Sequence, residues 1–208
     1  MPIAGLAVSS FGTASITDYL SSKESLLRRE YRSLAVLFCD IRSFDGKFSF
    51  PSSDMIVQYL DGHFRLMADI IYAKEGIIDK FIGDAIMAYF GYPASSEKTA
   101  LQAVLAAMEM VEAANRNSGQ YPKTNLLKCR LGISISFGEV TMGNVGHPEK
   151  KLSFTIFGDM VNLCSRIQGM TKTYGLDILI SESVQIRIKD VLPCRLVDTI
   201  EVRGKGSE

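Results

Sequence analysis

A continuous apolar run, Leu34 to Cys39, is the feature that most constrains how this chain can fold. A strand that faces water on one side alternates apolar and polar residues, whereas a run without alternation is typical of a strand buried on both faces. Such a strand needs a layer of structure on each side of its sheet. With 47% of its 208 residues apolar, the chain can build one sizeable core. We therefore predict one main domain around a central sheet.

Helical and strand patterns alternate along the next part of the chain. After Pro51, residues 54–74 repeat apolar residues at helical spacing, and residues 95–117 form an Ala-rich stretch with a helical start signal. Between them, two short apolar runs meet at Gly83-Asp84. This dipeptide predicts a tight β-hairpin, because glycine accepts a positive φ.

The second half predicts further strands and helices. The expected strands are 129–136, 152–157, 178–180 and 195–202, the expected helices are 158–171 and 183–188, and a glycine-rich connection covers 137–151. The whole order is βαββαβ with extensions, which predicts an α+β sandwich of ferredoxin-like type. We expect residues 1–31 to be a leader or linker and residues 32–208 to be the domain.

Charge and residue usage exclude several functions. Lys plus Arg equals Asp plus Glu at 23 each, so the chain lacks the excess of basic residues that nucleic-acid binding requires. No apolar run approaches the roughly 20 residues of a membrane span, and we expect no secretory signal, because no basic residue precedes the mildly apolar first residues. The four cysteines are widely spaced, which favours reduced core thiols in a cytoplasmic protein. His63 and His147 are the only histidines, which argues against a histidine-centred triad or metal cluster.

Two aspartates stand out by position. Asp40 directly follows the apolar run, and Asp84 occupies the expected hairpin turn. The ferredoxin-like topology places the first strand beside that hairpin, so the two carboxylates converge at one end of the sheet. They would repel unless a cation lay between them, and oxygen ligands suit Mg²⁺ or Mn²⁺. The alternative is that one aspartate ends a strand and the other forms a turn.

A second pair of polar residues lies on the helix that follows Gly158-Asp159. Asn162 and Arg166 are spaced i, i+4 and therefore share one helix face. An amide and a guanidinium side by side can hold a ribose and a phosphoryl oxygen; the alternative, an exposed polar stripe on an otherwise apolar helix, is the more common case for such a pair taken alone. Near the end of the chain, "VRGKG" offers two cations, Arg203 and Lys205, which by themselves indicate little beyond solvated charge.

Together these segments resemble the catalytic domain of the class III adenylate and guanylate cyclases. The matching pieces appear in family order over about residues 33–206: "LAVLFCDIRSF", "KFIGDAIMAYFG", "GISISFGEVTMGNVG", "FTIFGDMVNLCSRI" and "VRGKG". The resemblance implies the ferredoxin-like class III cyclase fold. It also implies cyclisation of a nucleoside triphosphate with release of pyrophosphate, a reaction of intracellular signal transduction.

The resemblance assigns a metal site at the first two motifs. Asp40 and Asp84 match the metal-binding aspartates, and the Ile41 carbonyl is a further ligand. Two divalent cations, Mg²⁺ or Mn²⁺, are implied: one lowers the pKa of the ribose 3′-hydroxyl and the other neutralises the triphosphate. Phe44 matches the loop that approaches the triphosphate.

The resemblance assigns the rest of the substrate site to the later motifs. Lys80 and Thr155 match the residues that recognise the purine, Asn162 the residue that orients the ribose, and Arg166 the arginine that stabilises the transition state. Arg203 matches a cation on the terminal phosphates, with Lys205 as a second.

The pair Lys80 and Thr155 favours adenine. Lysine can only donate and threonine can accept, which fits the N1 acceptor and 6-amino donor of adenine, whereas guanine reverses that edge. Guanylate cyclases of the family typically carry Glu and Cys at these positions. Many adenylate cyclases carry Asp at the position of Thr155, and a threonine there is similar to the subgroup that includes the bicarbonate-responsive soluble cyclases. The resemblance therefore also implies bicarbonate sensitivity.

In the family the metal aspartates and the base-recognising set face each other across a dimer interface. This chain carries both sets, so the resemblance implies a homodimer with two shared sites, with residues 1–31 joining any upstream sensor domain. The chain departs from the family at Ser43 and Asp45, where glycine and threonine are usual, and it ends before the strand that commonly follows "GKG". The alternatives are a guanylate cyclase, an inactive nucleotide-binding module and a structural ferredoxin-like domain.

Overall fold

The computed structural model describes residues 29–42, 52–117, 130–147 and 150–199, with ten helices and strands in these ranges. In chain order they are β1 (Arg29–Ile41), α1 (Ser53–Ala73), β2 (Gly76–Ile82), β3 (Ala85–Phe90), α2 (Thr99–Asn117), β4 (Leu131–His147), β5 (Lys151–Phe157), α3 (Asp159–Tyr174), β6 (Ile178–Ile180) and α4 (Glu182–Ile188). The predicted α+β class is confirmed. None of these helices combines the length and apolar character that crossing a membrane would need.

The strands form one sheet in the order β2-β3-β1-β4-β5, with β6 added parallel to β4. β1 lies between β3 and β4 and is antiparallel to both. The four strands β2-β3-β1-β4 with their two crossover helices are the predicted ferredoxin-like core. The hairpin at Gly83-Asp84 is also confirmed, and Gly83 has the positive φ of 63° that the turn needs.

The side chains of β1 alternate between two cores, as expected of a strand buried on both faces. Ala35 and Leu37 face the larger core, which α1, α2 and α4 cover. Leu34 and Val36 face a second core that includes Cys164 of α3. The run is apolar without interruption because the fold has three layers, with helices on both sides of the sheet.

β4 is longer than the sequence pattern indicates. It runs for 17 residues and includes Phe137 to His147, which the sequence analysis assigned to a glycine-rich connection. That assignment is wrong because the ladder accommodates the glycines: Gly143, for example, lies opposite Thr155 of β5. Its neighbour Met142 faces the second core, so this half of β4 does alternate towards a buried face.

Other boundaries differ from expectation for local reasons. β1 begins at Arg29, inside the expected leader, because its first residues pair with the far half of β4. α2 begins at Thr99, whose hydroxyl accepts the backbone N–H of Ser96 at 2.9 Å. The expected last strand is wrong over residues 195–199, which remain exposed without strand pairing.

The expectation of core thiols holds for two cysteines. Cys39 and Cys164 are buried and unpaired by disulfide bonds. The expectation is wrong for Cys194, which is exposed. This cysteine follows the last described helix and does not lie within a helix or strand. Cys129 lies outside the described residues.

Candidate active site

Asp40 is the penultimate residue of β1 and shares a face with Val36 and Phe38, on the side of the sheet that α3 covers. The carboxylate is half-buried. Its Oδ2 accepts a hydrogen bond from the amide of Gln168 on α3 at 3.3 Å, and the same amide nitrogen donates to the carbonyl of Gly132 at 3.3 Å. Gln168 thus links Asp40, a candidate metal ligand, to both α3 and β4.

Asp84 reaches the same end of the sheet from the neighbouring hairpin. It directly precedes Ala85, the first residue of β3. The register of the two strands ends with Cys39 opposite Ile86, and Asp40 and Ala85 are the next residue of each strand at this end. The two aspartates predicted to converge are therefore brought to one end of adjacent strands.

The donor set at this end fits a magnesium-type cation. It consists of two carboxylates and the Ile41 carbonyl, all oxygen, which hard divalent cations prefer. Among the described residues no three His, Cys, Asp or Glu side chains cluster as a metal site. Two carboxylates and one carbonyl leave positions around such a cation for oxygens from a substrate and from water, as Mg²⁺ usually keeps.

Arg42 fastens the chain immediately after these ligands. Its Nε donates to the carbonyl of Leu131 at 3.0 Å, and its Nη2 donates to the carbonyl of Thr171 at 3.0 Å and also to that of Leu176. Burial lowers the pKa of the Arg42 guanidinium, and the nearby Arg130 lowers it further. Arg42 thereby joins the end of β1 to the start of β4 and the end of α3.

A second cluster lies where β2 meets β5, and it brings together Lys80 and Thr155. The Lys80 ammonium donates to the Thr155 hydroxyl oxygen at 2.7 Å. That hydroxyl in turn donates to Oδ2 of Asp79 at 2.7 Å, and the backbone N–H of Ile156 donates to Oδ1 at 3.2 Å. Lys80 also pairs with Asp79 at 3.0 Å. The Asp79 side chain is only 1% exposed, whereas that of Lys80 is 41% exposed.

A β-bulge explains how two consecutive residues join one cluster. In the ladder with β3, Ile78 lies opposite Ala88 and Lys80 lies opposite Met87, so Asp79 is an extra residue. Met87 faces the second core, and its partner Lys80 points the same way, towards β5. Without the bulge Lys80 would point into the larger core.

Asn162 and Arg166 both lie on α3 and are exposed. The opposite face of the helix is buried through Cys164, Ile167 and Thr171. Cys164 anchors it: its carbonyl accepts the hydroxyl of Ser134 at 2.7 Å and its thiol donates to the carbonyl of Val36 at 3.1 Å. Burial raises the pKa of the Cys164 thiol to about 11, so this sulfur is a packing group rather than a nucleophile.

Some predicted residues lie outside the described ranges. These are Phe44, Arg203 and Lys205, together with the two departures from the family pattern at Ser43 and Asp45.

Asp79, Gln168 and Arg42 also belong to these clusters, although none of the three was predicted from the sequence. Asp79 carried a usable signal, because two adjacent charges, Asp79-Lys80, interrupt the otherwise apolar β2 and regular alternation would point one of them into a core. Gln168 and Arg42 carried none, since their roles depend on contacts with residues far along the chain.

Comparison with known protein families identifies the family of the chain. Residues 26–208 match the model of the adenylate and guanylate cyclase catalytic domain. The chain belongs to this family. It is thus a class III nucleotide cyclase domain. Cyclases of this family are known to use divalent metals.

Curated relatives of the cyclase domain include adenylate cyclases. That of Anabaena cylindrica is 37% identical over 84% of this chain and 35% of the relative. The terminal-differentiation specific enzyme of Dictyostelium discoideum is 34% identical over 84% of this chain and 8% of the relative. The chain therefore spans about a third of the first relative and much less of the second.

Solved structures similar to the cyclase domain include both substrate classes. The adenylyl cyclase CyaB of P. aeruginosa superposes with a TM-score of 0.78 at 30% identity, covering 87% of this chain and 92% of that one. The guanylyl cyclase Cya2 gives a TM-score of 0.75 at 31% identity, covering 86% and 89%. The fold is shared by both classes, so it does not choose between ATP and GTP.

Bicarbonate sensitivity stays a prediction.

Proposed function

We propose that this domain is an adenylate cyclase, which converts ATP to 3′,5′-cyclic AMP and pyrophosphate. The observation that carries the proposal is the hydrogen-bonded cluster of Lys80, Thr155 and Asp79. Lys80 donates to Thr155 and Thr155 donates to Asp79. The cluster can therefore offer a base one further N–H of Lys80 and one lone pair of Thr155.

That donor and acceptor pair is complementary to adenine. Lys80 would donate to N1, and Thr155 would accept from the 6-amino group. Guanine offers a donor at N1 and an acceptor at position 6, so the same arrangement would leave polar groups unpaired. The curated adenylate cyclase relatives support the assignment. Guanylate cyclase is the second candidate, because guanylyl cyclases are among the similar structures.

The residues of α3 would act on the sugar and the phosphates. Asn162 would orient the ribose so that its 3′-oxygen attacks the α-phosphorus in line as pyrophosphate leaves. Arg166 would stabilise the negative charge that develops on the α-phosphoryl and leaving oxygens. Arg203 and Lys205 would hold the terminal phosphates, with Phe44 in the loop beside them. We assign no side chain as general base.

The metal end would complete the site. Two divalent cations, Mg²⁺ or Mn²⁺, when bound would supply Lewis-acid activation of the 3′-hydroxyl and neutralise the triphosphate. Asp40, Asp84 and the Ile41 carbonyl would hold them. Gln168 and Arg42 would keep the first of these ligands in position through their contacts with α3 and β4.

A homodimer is the proposed active form. The paired strands β4 and β5 carry apolar side chains that are largely exposed in the single chain: Val145 is 52%, Phe154 47% and Phe157 39% exposed. They flank Thr155 and would be covered by a second copy. We also propose that the domain acts in the cytoplasm, where the buried Cys39 and Cys164 would stay reduced.

Product analysis tests the proposal directly. The purified domain is incubated with ATP or GTP, each with Mg²⁺ and with Mn²⁺, and the cyclic products are quantified. We expect cyclic AMP with both metals, and a Lys80→Met variant should lose much of the preference for ATP. Cyclic GMP as the dominant product would contradict the base assignment, and no product with either nucleotide would favour an inactive nucleotide-binding module.

A further inference from the structure

We infer that Asp79 is a specificity-determining positioning residue, which accepts the hydrogen bond of the Thr155 hydroxyl and so leaves that oxygen able only to accept from a purine. Nothing in the cyclase motifs that the chain matches assigns this residue a role. The inference rests on the proposed function, since it concerns how the same site would recognise adenine.

The surroundings of Asp79 fix the direction of its hydrogen bonds. Its side chain is 1% exposed and accepts from three donors: the N–H of Ile156 at 3.2 Å, the hydroxyl of Thr155 at 2.7 Å and the ammonium of Lys80 at 3.0 Å. An ionised carboxylate has no proton to give. Thr155 must therefore be the donor in its bond with Asp79.

The hydroxyl of Thr155 is then almost fully used. A hydroxyl has one proton and two lone pairs. The O–H donates its hydrogen bond to Asp79, and the Lys80 ammonium, which can only donate, occupies one lone pair at 2.7 Å. One lone pair remains for a ligand, and the oxygen cannot turn round to donate to the 6-oxo group of guanine without leaving a buried carboxylate short of a partner.

The fold places Asp79 in this position through the bulge in β2. Asp79 is the extra residue between Ile78 and Lys80, so both charged side chains reach the face that meets β5. Bulges commonly re-aim a side chain beside a functional site. Here the re-aimed side chain links a strand at one end of the sheet order to Thr155 on a strand at the other.

Asp79→Asn tests the inference with little change in shape. The new amide can donate to Thr155 Oγ1, which frees the hydroxyl proton to point at the base. We expect the ratio of kcat/KM for ATP to that for GTP to fall roughly tenfold or more. Purine riboside triphosphate, which lacks the 6-amino group, is tested as a third substrate beside ATP and GTP. The wild type should prefer ATP over this analogue, and this preference should be smaller in the variant.

Two further variants isolate the effect. Asp69→Asn makes the same chemical change at an exposed site on α1 and should leave both ratios unchanged. In a Thr155→Val background, which removes the hydroxyl, Asp79→Asn should not change the ratios further. Unchanged ratios in the Asp79→Asn single variant, or an equal change with and without the threonine hydroxyl, would overturn the inference.

The outcomes separate this inference from the proposed function. If the wild type forms no cyclic AMP, the proposed function fails. If the wild type prefers ATP but Asp79→Asn keeps that preference, only the inference fails. Neutron diffraction from deuterated wild-type crystals decides the matter where a variant does not fold or the domain is inactive: a deuteron on Thr155 Oγ1 directed at Asp79 supports the inference, and one directed elsewhere overturns it.

Discussion

His63, on α1, is a buried imidazole whose charge state is tied to the fold. It is 8% exposed and its ring stacks on that of Tyr59, with 6.2 Å between the centroids. Its Nε2 has no hydrogen-bond partner among the described residues. Burial lowers the pKa of His63 from 6.5 to about 4, because a protonated ring would be poorly solvated there.

This shift predicts a loss of stability in mild acid. Above pH 6.5 the ring is neutral in both the folded and the unfolded chain, so it has no pH effect. As the pH falls from about 6.5 to about 4, only the unfolded chain takes up the proton, and the free energy of unfolding decreases by roughly 3 kcal/mol in all. Urea unfolding of the wild type and of His63→Phe at pH 7.5, 6 and 5 should show a steeper decline in the wild type.

His147 offers the matched control. It is the only other histidine and is exposed. His147→Asn removes an exposed imidazole instead of a buried one, and its urea unfolding is measured at the same three pH values for comparison with His63→Phe. An equal slope in the wild type and in His63→Phe would refute the assignment to His63.

The individual residues of the site divide by how local their signals are. The sequence pointed to Asp40 and Asp84 because one ends a strand and the other lies in a turn, and it pointed to Lys80 through the motif that resembles the cyclase family. Asp79 and Gln168 escaped because each acts through a contact with a partner 76 and 128 residues away, respectively. Such a pairing depends on tertiary structure, and in the case of Asp79 on a bulge that changes which face its neighbour occupies.

At the level of elements, the contact between α3 and β4 sets the position of Asn162 and Arg166. The helix approaches the strand closely at Gly132, where a β-carbon would collide with the Thr171 hydroxyl and come within 3.2 Å of the Gln168 amide. The Thr171 hydroxyl is held by the carbonyl of Gln168 at 2.7 Å, so it cannot easily move aside. Only glycine lets the two elements pack at this distance.

Gly132→Ala should therefore push α3 away from the sheet. We expect the free energy of unfolding to drop by roughly 1–3 kcal/mol. The value of kcat should also fall, because Gln168 contacts Asp40 and the same helix carries Arg166. Chemical denaturation and steady-state cyclase assays measure the two effects.

Gly169→Ala is the control on the same helix. A β-carbon there meets nothing within 4 Å. Alanine should stabilise α3 by up to about 1 kcal/mol through its higher helix propensity and leave kcat unchanged. Equal behaviour of the two alanine variants would rule out a tight contact at Gly132.

The elements themselves were predictable where the pattern was local and strong. The apolar run of β1, the Gly83-Asp84 hairpin and the amphipathic α1 all follow from spacing and turn chemistry. The far half of β4 did not, because glycines are depleted in strands and the pairing with β1 and β5 that overrides this preference is long-range. The alternation over residues 195–202 misled in the opposite way, because it predicted a strand whose described part, residues 195–199, is exposed and unpaired with any strand.

For the whole molecule, the proposed dimer predicts that two defective chains can restore each other. Asp40→Ala removes a proposed metal ligand and Arg166→Ala removes the proposed transition-state cation, so each homodimer should be strongly impaired. An equal mixture forms half mixed dimers, each with one intact site of two, so we expect about a quarter of wild-type activity. Activity is measured after subunit exchange has been demonstrated with differently tagged chains.

A double variant, Asp40→Ala with Arg166→Ala, provides the control. Mixed with Asp40→Ala chains, it supplies no Asp40 to any site and should restore nothing. Lack of recovery in the first mixture, despite exchange, would mean that each site is built from one chain only.

The bulge in β2 has a consequence for how such domains diverge. Because Asp79 is an extra residue, its loss would leave Lys80 opposite Met87 and Phe81 opposite Ile86, with the remaining ladder intact. A single-codon deletion in the middle of the strand could thus remove the acid from the cluster, and a single-codon insertion could restore it, without disturbing the core. Purine preference would then be open to evolution through a change in strand length as well as through substitution.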